Sequence, residues 1–179
     1  MRIISGIYKR RKINAPKNLP VRPTTDMAKE SLFNIINNLY YFDDISVIDL
    51  FAGTGNISYE FASRGTETIT AVDQDHRCIN FINQTAHSFG MPIQTLKADV
   101  FKFLDKTNIM ADFIFADPPY NFTQDQFSKI PELIFNNNIL SKNGTLVVEH
   151  SKHTDLSEIE NYAYSKAYGG NVFSFFEHA

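Results

Sequence analysis

Between residues 47 and 149, short apolar runs alternate with segments of helical spacing, and no other feature restricts the fold as much. Strands are predicted at 47–51, 68–73, 93–97, 111–116 and 145–149, with helices at 58–63, 77–89, 100–105 and 126–135. A helix between two strands carries the chain back to the edge where the first strand began, so such strands pair in parallel. Runs such as Phe113-Ile114-Phe115-Ala116 are apolar without a break, as suits a sheet covered on both faces. Two further runs, 162–168 and 172–176, flank Gly169-Gly170-Asn171 and predict an antiparallel hairpin that completes the sheet. The expected fold class is α/β, a Rossmann-like and mostly parallel sheet with an antiparallel C-terminal hairpin.

Ahead of this pattern, 2–4 and 9–13 read as two short strands of a hairpin around Ser5-Gly6-Ile7. A loop with Pro16, Pro20 and Pro23 follows. Thr24 or Thr25 then caps a helix whose apolar face is Ala28, Leu32, Ile35, Ile36 and Leu39. Residues 1–40 are expected to form a small extension of a main domain over 41–179. A net charge of −3 conceals a strong asymmetry. Residues 1–30 hold Arg2, Lys9, Arg10, Arg11, Lys12, Lys17, Arg22 and Lys29 against only Asp26 and Glu30, so the acidic excess lies entirely downstream. Phosphate contacts are expected from Arg2, Lys9, Arg10, Arg11, Lys12, Arg22 and Lys29, with Tyr8 as an aromatic face. A solvated basic turn is the competing reading.

At 179 residues and 43% hydrophobic content the chain suits a globular domain with a full core. It has no apolar stretch long enough to span a bilayer, and its start lacks the pattern of a signal peptide. A single cysteine, Cys78, excludes a disulfide framework and a cysteine-based metal cluster, and reads as a buried inert thiol. A cytoplasmic location, no membrane partner and no metal are expected.

Two sites of chemistry emerge at predicted strand ends. Val47-Ile48-Asp49-Leu50-Phe51 runs into Ala52-Gly53-Thr54-Gly55, where glycines let a ligand approach the backbone. A dinucleotide fingerprint would place a third glycine where Ser58 stands, and Asp49 would repel a pyrophosphate. Asp49 suits a cation such as a sulfonium or an ammonium, which favours S-adenosylmethionine over NAD. Asp73, ending the second strand, can accept from ribose hydroxyls, with Asp75 the more natural helix cap beside it. Asp99, ending the third, can accept from an adenine amine or cap the following helix. Asp117-Pro118-Pro119-Tyr120 ends the fourth strand, which two prolines cannot continue. A carboxylate, freed carbonyls and an aromatic ring are thereby presented together, a set able to hold a planar base by its amine and stack on its face. An ordinary turn is the bland alternative. Phe122 reads equally as a pocket or a core residue, and His150 as a structural hydrogen-bonding group.

These residues together resemble the class I S-adenosylmethionine-dependent methyltransferases, and Asp117-Pro118-Pro119-Tyr120 is similar to the motif of those that methylate exocyclic amines of nucleobases. Met1-Arg2-Ile3-Ile4-Ser5-Gly6, then Arg22-Pro23-Thr24-Thr25-Asp26 with Lys29-Glu30-Ser31-Leu32-Phe33-Asn34, resembles the RsmD family of bacterial 16S ribosomal RNA guanine-N2 methyltransferases. The likeness continues through Asp49-Leu50-Phe51-Ala52-Gly53-Thr54-Gly55 and Ser63-Arg64-Gly65 to Val147-Val148-Glu149-His150. It implies S-adenosylmethionine as cofactor, S-adenosylhomocysteine as product, and methyl transfer to the N2 amine of a guanine. The implied partner is 16S ribosomal RNA, in the small subunit or an assembly intermediate, met by a monomer. Asp49, Phe51, Gly53, Gly55, Asp73 and Asp99 are the implied cofactor residues, and Asp117, Pro118, Pro119 and Tyr120 the catalytic ones. Asp73 stands where many relatives carry glutamate, and residues 151–179 carry the least motif content. Rival readings are an adenine-N6 DNA methyltransferase, a glutamine-modifying methyltransferase and a non-catalytic RNA-binding assembly factor. The first lacks a target-recognition domain here, the second characteristically begins its motif with asparagine, and the third would not need Asp49, Gly53, Gly55, Asp73 and Asp117.

Overall fold

The computed structural model describes residues 1–21 and 24–179. Among the described residues, seven strands form one sheet: β1 (Ser46–Leu50), β2 (Thr68–Asp73), β3 (Ile93–Lys97), β4 (Ala111–Ala116), β5 (Leu140–Ser151), β6 (Tyr162–Tyr168) and β7 (Asn171–Phe176). Their order is β3-β2-β1-β4-β5-β7-β6. Strands β1 to β5 pair in parallel, and β7 lies antiparallel between β5 and β6. The helices are α1 (Asp26–Leu39), α2 (Asn56–Ser63), α3 (His76–Phe89), α4 (Val100–Lys106) and α5 (Gln124–Asn136). The α/β class, the parallel sheet and the C-terminal hairpin are therefore as the sequence predicts. Strands β2, β3, β4 and β6 have the predicted bounds, while β5 begins five residues early at Leu140.

Alternation along the strands sorts the core into two layers. Phe113 and Phe115 of β4 join Val47, Ile69, Val147 and Phe61 of α2 on one face. Ile114 and Ala116 join Ile48, Leu50, Val148 and the α5 residues Phe127, Ile130 and Ile134 on the other. Each buried Phe or Ile removes apolar surface from water, contributing roughly 1.5–3 kcal/mol. Strand order reverses between β1 and β4, and the helices that follow these strands leave toward opposite faces. That divergence opens a crevice at the carboxyl ends of β1 and β4.

The amino-terminal segment departs from expectation only in extent. The two predicted segments do pair antiparallel, but briefly: Arg2 and Lys12 form a bridge, Ile3 N–H donates to the Arg11 carbonyl at 3.0 Å, Arg10 N–H to the Ile3 carbonyl at 2.9 Å and Ile13 N–H to the Met1 carbonyl at 3.0 Å, with turns between them in place of full strands. Beyond this pairing the segment docks on α2. Ile4 N–H donates to the Glu60 carboxylate at 3.0 Å, and Ile7 N–H and Tyr8 N–H donate to the Ser63 carbonyl and hydroxyl at 2.8 and 3.0 Å. Gly6, at φ 89°, lies against this helix end, and a Cβ there would come within 1.9 Å of the Ser63 oxygen. Ile3 and Ile13 share the core of Phe33, Val47 and Phe61. Thr25 caps α1, accepting from Ala28 N–H at 3.2 Å, whereas Thr24 donates to Glu149 Oε2 at 3.1 Å. Of the predicted apolar face, Ala28, Leu32 and Ile36 are buried; Leu39 is exposed and Phe33 packs inward instead.

Candidate active site

The crevice is a cavity of about 1410 Å³. Asp49, Phe51 and Gly53 of the β1 exit line it, together with Asp73 and Asp99 at the ends of β2 and β3. Asp117, Pro118, Pro119 and Tyr120 at the end of β4 close the opposite side. Every predicted cofactor and catalytic residue therefore faces one space except Gly55, which stands just behind the wall as the N-cap of α2.

The turn after β1 is tightly specified. Phe51, Gly53 and Gly55 all adopt left-handed backbone, at φ 56°, 57° and 84°. A Cβ on Gly55 would sit 2.7 Å from the Tyr59 ring, so the close approach needs glycine as much as the dihedral does. Phe51 holds the same region without that freedom, a local strain of about 1–2 kcal/mol sustained by the elements on either side. Asp49 is only 2% exposed, and Ser58 Oγ donates to its Oδ2 at 2.7 Å. Burial pushes its carboxyl up to about 7, with the nearby Asp73 charge adding to the rise and the Ser58 hydrogen bonds opposing it. Asp49 is consequently poised between neutral and ionised forms and would ionise beside a cation.

Asp73 Oδ2 accepts Gly53 N–H at 2.9 Å and Oδ1 accepts Asp75 N–H at 2.8 Å. Each oxygen retains a second lone pair for a ligand hydroxyl. Asp75 caps α3, accepts from Arg77 N–H at 2.8 Å and pairs with the Arg77 guanidinium at 2.6 Å, which holds its carboxyl well below the usual range. Asp99 Oδ1 caps α4 by accepting Lys102 N–H at 3.0 Å, one of the two expected roles, and the residue lines the cavity. Cys78 is buried at the cavity wall, and burial pushes its thiol up to about 12, as an inert thiol requires. Phe122 stacks on Phe101 at 5.8 Å and meets Phe51 edge-on at 5.6 Å, joining cavity wall to core.

Asp117 is half-buried, and its backbone N–H donates to the Leu50 carbonyl at 3.4 Å, tying the β4 exit to β1. Pro118 is buried, while Tyr120 is 56% exposed at the mouth. His150 stands apart from the cavity, its Nε2 2.7 Å from Ser174 Oγ and its Nδ1 2.8 Å from the Ser151 carbonyl; burial lowers its pKa. It ties β5 to β7.

Among the predicted phosphate-binding residues, Arg2, Lys9, Arg10, Arg11 and Lys12 are exposed. Arg2 also pairs with Asp26 at 2.7 Å, and the Arg11 guanidinium lies 5.7 Å from the Phe89 ring centre. Lys29 requires correction. It is 1% exposed, so it offers no surface charge; its ammonium donates to the Arg2 carbonyl at 2.6 Å and Asn56 Oδ1 at 2.8 Å. Arg22 lies outside the described residues. The basic turn rests on Ser63 and, through Tyr8, on the Phe89 carbonyl, so it occupies the far end of α2. That is about 12 Å along the helix axis from the cavity.

Sequence reasoning passed over Thr24, Asn56, Phe101 and Gln126 as cavity residues. Asn56 opens α2, and Phe101 and Gln126 lie in the first turns of α4 and α5. Their signal was position alone, since helix starts of a parallel α/β sheet gather at its ligand-binding edge.

The donor set suits a ligand with a cationic centre beside Asp49 and hydroxyls beside Asp73, on a turn whose Gly53 and Gly55 hold left-handed backbone. With the antiparallel β7 and the Asp-Pro-Pro-Tyr exit from β4, these features define a class I, S-adenosylmethionine-dependent methyltransferase. Residues 1–177 match the model of a family described as Conserved hypothetical protein 95, and the chain belongs to that family, in keeping with its RsmD-type motifs. YlbH of Bacillus subtilis is 34% identical over 163 residues, covering 88% of this chain and 86% of the relative. Ribosomal RNA small subunit methyltransferase D of Haemophilus influenzae is 29% identical over 171 residues, covering 93% and 86%. The solved structure of a hypothetical protein from Thermus thermophilus, TTHA0928, has the same fold, with a TM-score of 0.85 over 99% of both chains at 21% identity.

Proposed function

We propose that this protein methylates the exocyclic N2 amine of a guanine in 16S ribosomal RNA, acting as a monomer in the cytoplasm on the small subunit or an assembly intermediate. The observation that carries the reading is a single cavity shared by Asp49 and Asp73 on one side and Asp117, Pro118 and Tyr120 on the other. Relatives named ribosomal RNA small subunit methyltransferase D support the substrate class.

An aryl amine is a poor nucleophile because its lone pair is delocalised into the ring. The Asp117 carboxylate and the Pro118 carbonyl accept its two hydrogens, drawing the nitrogen toward tetrahedral geometry and freeing the lone pair. Asp117 also stabilises the positive charge that develops on nitrogen and takes the proton as it leaves. S-adenosylmethionine, when bound, supplies a methyl group already activated on a sulfonium. Positioning then carries much of the rate, up to about 7–11 kcal/mol in favourable cases. Pro119 stiffens the exit that holds these groups. Tyr120 stacks on the extruded base, worth about 1–3 kcal/mol, and offsets part of the few kcal/mol that extrusion costs. In this reading residues 1–40 extend a methyl-transfer domain over 41–179, and the exposed Arg2, Lys9, Arg10, Arg11 and Lys12 grip RNA phosphates.

The test is tritium transfer from labelled S-adenosylmethionine to small subunits lacking the modification, followed by nucleoside analysis. N2-methylguanosine is the expected product. Label in another nucleoside would discard the guanine assignment.

A further inference from the structure

Lys29 is a buried cation for which the transfer chemistry has no use. Its ammonium contacts Asn56, the first residue of α2, which is itself only 6% exposed and lines the cavity. Asn56 Nδ2 also donates to the Thr24 carbonyl at 3.4 Å. A carboxamide can be turned over at little steric cost, exchanging an acceptor for two donors. A cation on one side settles the choice: oxygen must face Lys29, so the amide hydrogens face Thr24 and the cavity. The first backbone N–H groups of a helix lack intrahelical partners, and the helix dipole there favours negative charge. Donors from side chain and backbone thus stand together on one wall, while Asp49 and Asp73 supply negative charge on the others.

We propose that Lys29 is a positioning residue of the cofactor pocket: by orienting the Asn56 carboxamide it makes the start of α2 a receptor for the carboxylate at the cofactor's amino-acid end. The arrangement sets a polarity, with the carboxylate directed to Asn56 and the ammonium to the acidic side. Lys29 also holds the Arg2 carbonyl, so one ammonium joins the basic amino-terminal segment to the wall of the pocket.

This inference rests on the assignment of S-adenosylmethionine as cofactor, and its test separates the two. S-adenosylhomocysteine and 5′-methylthioadenosine share the nucleoside, but only the first has an amino-acid end. Both are titrated calorimetrically into wild type, Lys29→Met and Asn56→Ala. Each variant should bind S-adenosylhomocysteine about tenfold more weakly while its affinity for methylthioadenosine stays within about twofold, the loss expected for one hydrogen bond to a charged group. General loosening of the fold would weaken both ligands together, and equal losses would overturn the proposal, as would no loss at all. If Lys29→Met does not fold, Asn56→Ala, which alters a side chain on the cavity wall, carries the same comparison. A wild type that binds neither ligand would remove the cofactor assignment itself, and this proposal with it.

Discussion

Asp73 accepts the backbone N–H of Gly53 at 2.9 Å, which locks the end of β2 onto the turn that follows β1. One carboxylate therefore braces the glycine turn and faces the ligand cavity at once. Asp73→Asn keeps the shape but can offer only one accepting atom to Gly53 and Asp75. Cofactor affinity should fall at least tenfold, and the fold should lose about 1–3 kcal/mol. Calorimetric titration and thermal unfolding of the same preparation check both effects; an affinity loss without any loss of stability would show that the brace is unimportant.

Asp49 links ligand binding to pH. Its carboxyl titrates near 7 in the folded protein against an ordinary value of 3.8, so the folded state holds a proton that the unfolded chain releases. The ligand-free protein is therefore expected to lose stability as pH rises through that window. Asp49→Asn should be more stable than wild type at pH 8, by roughly 2–4 kcal/mol, and nearly equal to it at pH 4. A cationic ligand favours the ionised carboxylate, so cofactor binding near pH 7 should release a proton and tighten as pH rises through 7. Titration in buffers of different ionisation enthalpy reads that proton directly.

Asp117 is proposed to act on the amine and not on the cofactor. Asp117→Ala should lower kcat at least about 100-fold while leaving the affinity for S-adenosylhomocysteine within about threefold. Retained turnover in single-turnover assays would remove its role.

The basic turn lies at the far end of α2, so its contribution should separate from that of the cavity. Lys9→Glu with Arg10→Glu should raise KM for subunits roughly tenfold or more and flatten the salt dependence of binding. Cofactor affinity, measured without RNA, should not change.

His150 joins β5 to β7 through Ser174. His150→Ala leaves a buried hydroxyl without its partner and should cost about 1–3 kcal/mol of stability. The kcat of the folded fraction should stay within about twofold, whereas a loss of 100-fold would mark a catalytic group.

What the sequence by itself determined was set by short-range patterns. Phe113-Ile114-Phe115-Ala116 reads as a strand because both faces of β4 are covered, and the prolines after Asp117 end it wherever it packs. The acidic residues closing β2, β3 and β4 were placed on one edge because parallel connections leave all strand ends on the same side. Tertiary structure alone decided Lys29, which composition assigns to the surface and which is buried between Arg2 and Asn56. It separated Thr24, bound to Glu149 some 125 residues away, from Thr25, the adjacent cap. It also kept the predicted amino-terminal hairpin short, with Arg2 and Lys12 bridged while Ile4 N–H turns to the Glu60 carboxylate. Periodicity and capping act between neighbours in the chain and leave a local signature. A buried charge is tolerated only by partners that the fold brings together, and nothing in the residues around it announces them.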